Sequence, residues 1–461
     1  MDLKNIIDTA DDIRYELHLQ GLNKDNIAAI SRDIGEPGWM LEHRLKSFDI
    51  FEDKPMPTWG PDLSRLVLDE IVYYAKPVKW FKWYTQDRSK VPIEIRNKFD
   101  RLGIPEAEKK YLAWAGGQYD AEMVYHKLKE KYATQGVIFD DMSNAVKLYP
   151  DLVRKYFMKL VPATDHKFAA LHGAVWSGGT FIYIPSWVKL TEPLQAYFRM
   201  NTFWWWQFEH TLIIVEDDAS CDYIEWCSAP KYDAKSLHAW LVEIFVGKRS
   251  RMRYSSVENR SLNTYNLNTK RSVVWDDSTM ERIWWNLWSW TTMLYPCSIL
   301  SGDRSKADHI WVALATAWQN QDVWSKVIHI GKHTSSTIIS KSISKDGGIS
   351  TYRGIVDIRP TAQDAINSTE CDALLMDDIS VSTTIPHILC SNPTGTVAHE
   401  ATAGKVDEME LFYLMSRGLD EEKAMSMIVN GFISPVIKKL PLEYAWELNR
   451  LIEMEMEGSV G

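Results

Sequence analysis

The middle of the chain, from about residue 168 to residue 390, is a series of short β-type segments separated by Gly, Asp, Asn and Lys, with no amphipathic helix between them. This pattern disfavours a βαβ sheet, in which a helix follows each parallel strand. Many consecutive short strands indicate a sandwich, a barrel or a parallel β-helix, and the irregular repeat length does not choose among the three. The predicted strands are 180–185, 211–216, 221–227, 237–246, 251–257, 327–330 and 335–344.

Both flanks of this β region have helical periodicity. A Pro-rich connector at 55–61 interrupts the first flank, and in the second flank Gly418 and Asp420 mark the end of one helix and the start of the next. The predicted helices are 23–34, 39–51, 92–102, 106–115, 121–135, 408–417, one from 421 toward 430–431 and one from 441 to about 457. We therefore expect an N-terminal helical region at 1–160, a β core at 161–400 and a C-terminal helical region at 401–461.

Composition and charge exclude several classes of function. The net charge of -10 and the pI near 5.7 argue against nucleic acid as the main partner, because phosphate binding favours a basic surface. The first dozen residues are acidic and do not resemble a signal peptide, and no apolar run approaches the roughly 20 residues of a membrane span. We therefore expect a cytoplasmic protein in which the five cysteines are thiols, ligands or reactive groups rather than disulfides.

One short region combines three types of metal-binding side chain. Cys371 lies in Ser-Thr-Glu-Cys-Asp-Ala, and His399 and Glu400 follow in Ala-His-Glu-Ala. A thiolate, an imidazole and a carboxylate together suit iron or another transition metal. The chain has no Cys-x-x-Cys pair, so a zinc knuckle or a four-cysteine cluster site is not expected, and any cluster needs non-cysteine ligands or a second chain.

The other cysteines have weaker signals. Cys227 lies upstream in Ile-Glu-Trp-Cys-Ser-Ala-Pro. A cysteine in a β region is most often a small buried hydrophobic residue. We predict that role for Cys221, Cys297 and Cys390.

Several segments in one order are similar to a known family. They include Glu-Pro-Gly-Trp-Met-Leu-Glu at 36–42, Pro-Met-Pro-Thr-Trp-Gly-Pro at 55–61, and the segments 102–106, 174–179, 194–199, 335–341, 427–432 and 457–461. Over nearly its whole length the chain resembles the SufB family, the scaffold subunits of the SUF iron–sulfur cluster assembly system. The resemblance implies a right-handed parallel β-helix core between helical end regions.

The resemblance also implies roles for individual residues. Cys227 matches the cysteine that receives sulfur as a persulfide, and Cys371 matches the cysteine that holds the nascent cluster. Glu400 matches a candidate iron ligand, and His399 beside it is a further candidate.

A polar path between the two cysteines is part of the same resemblance. Arg199, Asn201 and Lys270 match its polar and basic positions, and Glu258 stands where the family often has glutamine. The other interpretation of Arg199, Asn201 and Lys270 is that they are ordinary strand residues that face solvent.

The resemblance implies a transient iron–sulfur cluster, of the 4Fe–4S type, as cargo; a reduced flavin is associated with some such complexes, but no motif here supports one. Implied partners are a SufC-type ABC ATPase on the C-terminal helical region, a SufD-type paralogue that completes the cluster site, and a cysteine desulfurase. The chain has no nucleotide-binding P-loop and is not expected to be an enzyme. The alternatives are a SufD-like structural paralogue and a β-helix carbohydrate-active protein with clustered carboxylates.

The chain departs from the family in its tryptophans. It has 21 Trp against 23 Gly, whereas an average protein has about 7% Gly and far less Trp. Trp stands where the family has glycine at 187, 206, 226, 288, 290, 318 and 324, and Arg stands where it usually has tryptophan at 260 and 282. We hypothesise that the gene uses a reassigned code, with UGA meaning Gly and some Arg codons meaning Trp. The alternative is a divergent paralogue with a filled sulfur path.

Overall fold

The computed structural model describes residues 15–77, 114–119, 122–125, 130–199, 208–228, 236–259, 264–287 and 289–438. The N-terminal part contains a mixture of strands and helices. Its elements are β1 (Tyr15–Gln20), α1 (Lys24–Ile34), α2 (Gly38–Asp53), a 3₁₀ helix (Leu68–Glu70), β2 (Val72–Pro77), β3 (Trp114–Tyr119), β4 (Glu122–Tyr125), α3 (Glu130–Ala133), β5 (Ile138–Asp141), α4 (Met142–Leu148), α5 (Pro150–Tyr156) and α6 (Lys167–Val175).

The rest of the described chain is a long series of strands followed by two helices. The strands are β6 (Thr180–Ile184), β7 (Leu194–Arg199), β8 (His210–Val215), β9 (Ser220–Ser228), β10 (Ser236–His238), β11 (Leu241–Val246), β12 (Arg251–Asn259), β13 (Thr264–Val274), β14 (Thr279–Leu287), β15 (Thr291–Leu300), β16 (Lys306–Ala315), β17 (Asn320–His329), β18 (Ser335–Ser344), β19 (Ile349–Ile358), β20 (Ile366–Leu375), β21 (Val381–Cys390) and β22 (Thr396–Lys405). The helices are α7 (Glu408–Ser416) and α8 (Glu421–Ile437).

These strands form a parallel β-solenoid of about seven turns. From β11 onward, consecutive long strands alternate between two sheets, one ending in β17, β19 and β21 and the other in β18, β20 and β22. Neighbouring coils touch closely at the turns: a Cβ at Gly331 would lie 2.1 Å from the carbonyl oxygen of Gly302, so a side chain does not fit there. The parallel β-helix expected from the resemblance is confirmed as a parallel solenoid with helices at both ends.

Alternate residues of each strand point between the two sheets, and we call this interior the lumen. Much of it is apolar, with Trp240, Leu294, Val323 and Ile338 buried in one continuous cluster. A second apolar core lies outside the sheets, where α1, α2, α5 and α6 pack against the outer faces of β8 and β11. The lumen is therefore a separate compartment, closed by the helices on one side.

The predicted strands are confirmed at 180–185, 211–216, 221–227, 251–257 and 335–344, with small shifts of their ends, while 237–246 is divided into β10 and β11. The predicted helices 23–34, 39–51 and 408–417 are also confirmed, and α8 continues past Gly431. The helix predicted at 121–135 is wrong, because β4 pairs antiparallel with β3 and the helical part is limited to α3. The predictions at 92–102 and 441–457, and most of 106–115, lie outside the described residues.

The C-terminal helices follow β22 directly. The Asp420 side chain accepts a hydrogen bond from the Lys423 main chain at the start of α8, and Gly418 has a left-handed φ of 93°, as its position after a helix predicts. In α8, Val429 and Ile433 are buried, whereas α7 has no buried residue. Within the described part of the chain, no helix is long and apolar enough to cross a membrane.

Candidate functional site

Cys371 lies on the inner face of β20, near the last turn of the solenoid. Its side chain is 3% exposed, and its neighbours in the adjacent strands are Ser340 of β18 and Ala401 of β22. The Cys371 Sγ is 3.4 Å from His399 Nε2. The strand register therefore brings a thiol and an imidazole together at the open end of the lumen.

The environment of Cys371 favours the neutral thiol. Burial raises the pKa of Cys371 to about 12, and the neighbouring hydroxyls of Tyr352 and Ser340 oppose this effect. A bound cation must therefore displace the proton, which is the usual behaviour of a thiol that becomes a metal ligand.

Glu400 follows His399 on β22 and lies on the opposite face of that strand. It is exposed, and it pairs in register with Glu370 rather than with Cys371. Successive side chains of a strand point to opposite faces, so His399 and Glu400 cannot both face the lumen. On this outer face Lys341 forms an ion pair with Asp372 and lies 3.7 Å from Glu370. The structure thus brings His399, but not Glu400, next to the Cys371 thiol.

Cys227 lies at the other end of the lumen, fully buried on β9. Glu258 of β12 is its neighbour in register. Lys270 Nζ donates to Glu258 Oε1 at 2.7 Å, and the amides of Asn266 and Asn268 donate to Oε2 at 2.6 and 2.8 Å. Cys227, Glu258 and Lys270, chosen from the sequence, therefore form one buried polar group.

The remaining predicted path residues are less well defined. Arg199 is the last residue of β7 and pairs in register with Ser228, the residue after Cys227. Asn201 lies outside the described residues, as does Arg260. The alternative that the path residues face solvent is wrong for Lys270, which is 2% exposed, and Glu258 beside it is fully buried as well.

A polar row that the sequence did not indicate lies between the two cysteines. Ser298 Oγ is 2.7 Å from His309 Nε2, and Ser325 Oγ is 2.7 Å from His309 Nδ1. Tyr352 lies beyond Ser325, beside Cys371. Inward positions of a strand alternate with outward ones, and polar residues at inward positions of β15 to β19 would have been the sequence signal.

The other cysteines are not part of this row. Cys221 is buried in the lumen and Cys297 is buried on β15, as predicted. Cys390 is exposed, so the prediction of a buried residue is wrong there. It lies at the end of β21, where no further coil covers the strand.

The last coil of the solenoid is open. β21 and β22 are the final strands of their sheets, and nearly every residue of both is at least partly exposed. Exposed apolar side chains on β21 include Ile385, Ile388 and Leu389. Among the described residues no group of three or more His, Cys, Asp or Glu could hold a metal ion. A metal at Cys371 and His399 would therefore need further ligands from elsewhere.

Two family models cover most of the chain. The SUF system FeS cluster assembly, SufBD core domain, matches residues 198–432, and the SufBD protein N-terminal region matches residues 85–196. The iron-sulfur cluster assembly protein SufB of Bacillus subtilis is 51% identical over 444 residues, which cover 96% of this chain and 94% of that protein. An iron-sulfur cluster assembly SufBD family protein of Staphylococcus aureus is 49% identical over 451 residues, which cover 98% of this chain and 96% of that protein. The chain therefore belongs to the SufBD family of SUF-system iron–sulfur cluster assembly proteins.

Proposed function

We propose that this chain is an assembly scaffold that accepts persulfide sulfur at Cys227 and builds a nascent iron–sulfur cluster at Cys371. The observation that carries the proposal is that both cysteines face one lumen and belong to one buried cluster. A polar group accompanies each of them: Lys270 bonds to Glu258, the register neighbour of Cys227, and His399 lies 3.4 Å from the Cys371 sulfur.

The first step is a sulfur exchange between thiols. The Cys227 thiolate attacks the outer sulfur of a persulfide on a cysteine desulfurase, the sulfur–sulfur bond of the donor breaks, and the donor cysteine leaves as a thiolate. Cys227 then carries the sulfur as its own persulfide, and no electrons are gained or lost overall. Lys270 is ion-paired with Glu258, the register neighbour of Cys227, and we assign to this lysine the stabilisation of the anionic sulfur.

The second step is cluster assembly on iron as a substrate: a two-electron reductant, such as a reduced flavin, cleaves the Cys227 persulfide to sulfide and the Cys227 thiolate, and the sulfide binds iron at Cys371. Cys371 and His399 supply a soft and a borderline ligand, which suit iron. A partner on the open strands β21 and β22 would supply the remaining ligands, since exposed parallel edges are surfaces for strand pairing. We assign this place to a SufD-type paralogue and the exposed helix α7 to a SufC-type ABC ATPase. Several further points stay predictions. They are the roles of Glu400, Arg199 and Asn201, the 4Fe–4S type of the cluster, the involvement of a flavin, and the expectation of a non-enzymatic, cytoplasmic protein.

The test is anaerobic reconstitution of the full chain with its partners, comparing Cys371→Ala with the unchanged protein. We expect stoichiometric iron and acid-labile sulfide, and loss of both in the variant. Cys221→Ala is the matched control, because Cys221 is a second fully buried cysteine of the lumen and should load normally. Cys227→Ala should load from inorganic sulfide but not from a desulfurase. Equal loading of Cys371→Ala and the unchanged protein would contradict the proposal.

The second candidate function is that of a SufD-like structural paralogue. The outward position of Glu400 and the absence of a three-residue metal group among the described side chains favour it. In that case neither the unchanged protein nor Cys371→Ala should load, while both should still bind the partners. Membership of the SufBD family leaves no support for the carbohydrate-active alternative.

A further inference from the structure

Tyr352 on β19 has a buried hydroxyl that makes no hydrogen bond of ordinary length and angle in the described part of the chain. The side chain is 3% exposed, and its ring packs on Trp311 with centroids 5.3 Å apart. Buried hydroxyls are nearly always paired, and an exception in a native structure requires an explanation. A ligand that arrives later is one such explanation.

The hydroxyl lies beside the Cys371 thiol. Burial and, after it, the Cys371 thiol raise the pKa of Tyr352 well above its usual value, while the Ser325 hydroxyl opposes the increase. In the reverse direction, the Tyr352 hydroxyl lowers the pKa of Cys371. Gly354 leaves the space for this hydroxyl, because a Cβ there would lie 2.9 Å from it. The hydroxyl therefore has a defined place between Cys371 and Ser325.

A polar row fixes Ser325 behind the tyrosine. His309 Nδ1 is 2.7 Å from Ser325 Oγ, and His309 Nε2 is 2.7 Å from Ser298 Oγ. Burial lowers the pKa of His309 well below its usual value, so the ring is neutral and has one donor and one acceptor nitrogen. All three side chains are fully buried. The row can therefore hold Ser325 in one orientation toward Tyr352.

We propose that Tyr352 binds sulfur at the Cys371 site: its hydroxyl donates a hydrogen bond to an anionic sulfur there, either the Cys371 thiolate or a sulfide attached to iron beside it. His309 is a positioning residue that acts through Ser325. A neutral thiol is a weak acceptor, so the contact between the hydroxyl and Cys371 is weak while the thiol keeps its proton, and it becomes a strong, charge-assisted hydrogen bond when the sulfur is anionic. This inference rests on the proposed role of Cys371 as a metal ligand.

The probe is Co²⁺ alone, added anaerobically to the full chain in complex with its partners, because the thiolate-to-cobalt charge-transfer absorption reports the sulfur ligand directly. Tyr352→Phe should weaken Co²⁺ binding about tenfold, the size of one hydrogen bond to a charged group. It should also move the absorption to lower energy, because a hydrogen bond stabilises the thiolate electrons. His309→Ala should shift the absorption in the same direction by less, and His309→Gln, whose amide can donate and accept, should restore it.

Tyr295→Phe is the matched control, since the Tyr295 hydroxyl is also buried and without a hydrogen-bond partner among the described residues. It lies on β15 against Trp324, with ring centroids 4.3 Å apart. The Tyr352 inference is overturned, and the proposed function stands, if Cys371→Ala abolishes the absorption while Tyr352→Phe behaves like Tyr295→Phe. If the absorption survives Cys371→Ala, the metal-ligand role of Cys371 and the Tyr352 inference both fail.

Discussion

Two fully buried arginines differ in whether their charge is compensated. Arg44 pairs with Glu36 at 2.6 Å and donates to two main-chain carbonyl oxygens. None of the guanidinium nitrogens of Arg282 has a hydrogen-bond partner within the described residues, and its strand neighbours on the inner face are Tyr254 and His309. Burial lowers the pKa of Arg282 to about 10. An uncompensated buried charge costs about 3–5 kcal/mol, so the lumen does not suit an arginine at this position.

Two tryptophans also occupy positions that do not suit their side chains. Trp187 and Trp318 have left-handed φ values of 70° and 66°, and their side chains are 74% and 89% exposed. A left-handed backbone costs an L-residue about 1–2 kcal/mol, and an exposed indole gains no packing in return. Glycine takes this conformation without strain. The structure therefore favours glycine at both positions.

We predict that the natural protein has glycine at positions 187 and 318 and tryptophan at position 282, as the reassigned-code hypothesis requires. Arg282→Trp should raise the free energy of unfolding by about 3 kcal/mol, and Trp187→Gly or Trp318→Gly by about 1 kcal/mol each, in chemical denaturation. Trp176→Gly is the contrasting change. Because Trp176 is fully buried, this variant should lower the free energy of unfolding by about 3–5 kcal/mol.

The direct measurement is the mass of peptides that contain positions 187, 282 and 318, taken from the protein of the source organism. Codons should be listed for the same positions. UGG codons at the two tryptophans, or an arginine mass at 282, would contradict the hypothesis.

The residues of the candidate site could be predicted only in part. Residue chemistry identified Cys371 and His399, and the structure places their sulfur and nitrogen 3.4 Å apart. Residue chemistry alone could not decide whether His399 or Glu400 lies next to the thiol. Strand alternation puts consecutive residues on opposite faces, and the sequence does not say which face is inside. Tyr352 was missed because its contact with Cys371 crosses the lumen and depends on the register of the coils.

At the scale of elements, only part of the strand series was predictable: the predicted segments fall on β6, β8 to β12, β17 and β18, whereas β7, β13 to β16, β19, β20 and β22 were not among them. Strand lengths were less predictable than strand positions. The segment predicted as 327–330 is in fact β17, Asn320–His329, because its inward residues Gln321 and Ser325 are polar and interrupt the apolar pattern although they are fully buried. The helix at 121–135 failed because the pairing of β4 with β3 overrides the local pattern.

Helix α7 gives a prediction at the same scale. Met409, Phe412 and Tyr413 are 73%, 66% and 55% exposed, and α7 has no buried residue. Met409→Ala with Phe412→Ala should therefore change the free energy of unfolding by less than about 0.5 kcal/mol. If α7 is the ATPase-binding surface, the double variant should weaken that complex by about 2 kcal/mol or more, measured by calorimetry.

The control for α7 is Leu148→Ala, a change of a residue that is 63% exposed on α4. It should leave the complex intact. Unchanged affinity in the double variant would remove α7 from the proposed interface.

At the scale of the whole molecule, a buried polar cluster joins the helical layer to the solenoid. Glu243 of β11 accepts main-chain hydrogen bonds from Met158, Leu160 and Val161 at 2.6–3.0 Å, and lies 3.3 Å from His210 of β8. His210 in turn lies 3.1 Å from His172 of α6. The cluster lies where the two apolar cores meet, so its protonation affects the attachment of one to the other.

The cluster predicts a loss of stability in acid. His43 of α2 borders the cluster, with its Nε2 3.2 Å from the sulfur of Met158. Burial lowers the pKa of His210 to about 3 and that of His43 to about 4, from an ordinary 6.5. The unfolded chain therefore binds protons below pH 6.5 that the folded chain does not, and their contribution to stability is lost as the pH falls from 6.5 toward 3–4. Burial raises the pKa of Glu243 to about 7, so its contribution has the opposite sign and is lost as the pH rises from about 4.5 through 7.

His210→Gln separates these effects. At pH 5 the histidine accounts for about 2 kcal/mol, so the variant should lose that much less stability than the unchanged protein between pH 7.5 and pH 5. Chemical denaturation across this range measures the difference, and His43→Gln gives a second test if His210→Gln does not fold. His333→Gln is the control, because His333 is exposed and lies outside the cluster. Parallel curves of unfolding free energy against pH for all the proteins would show that the cluster does not control acid stability. A smaller loss of stability in His210→Gln and His43→Gln alone would assign the acid sensitivity to the junction of the two cores.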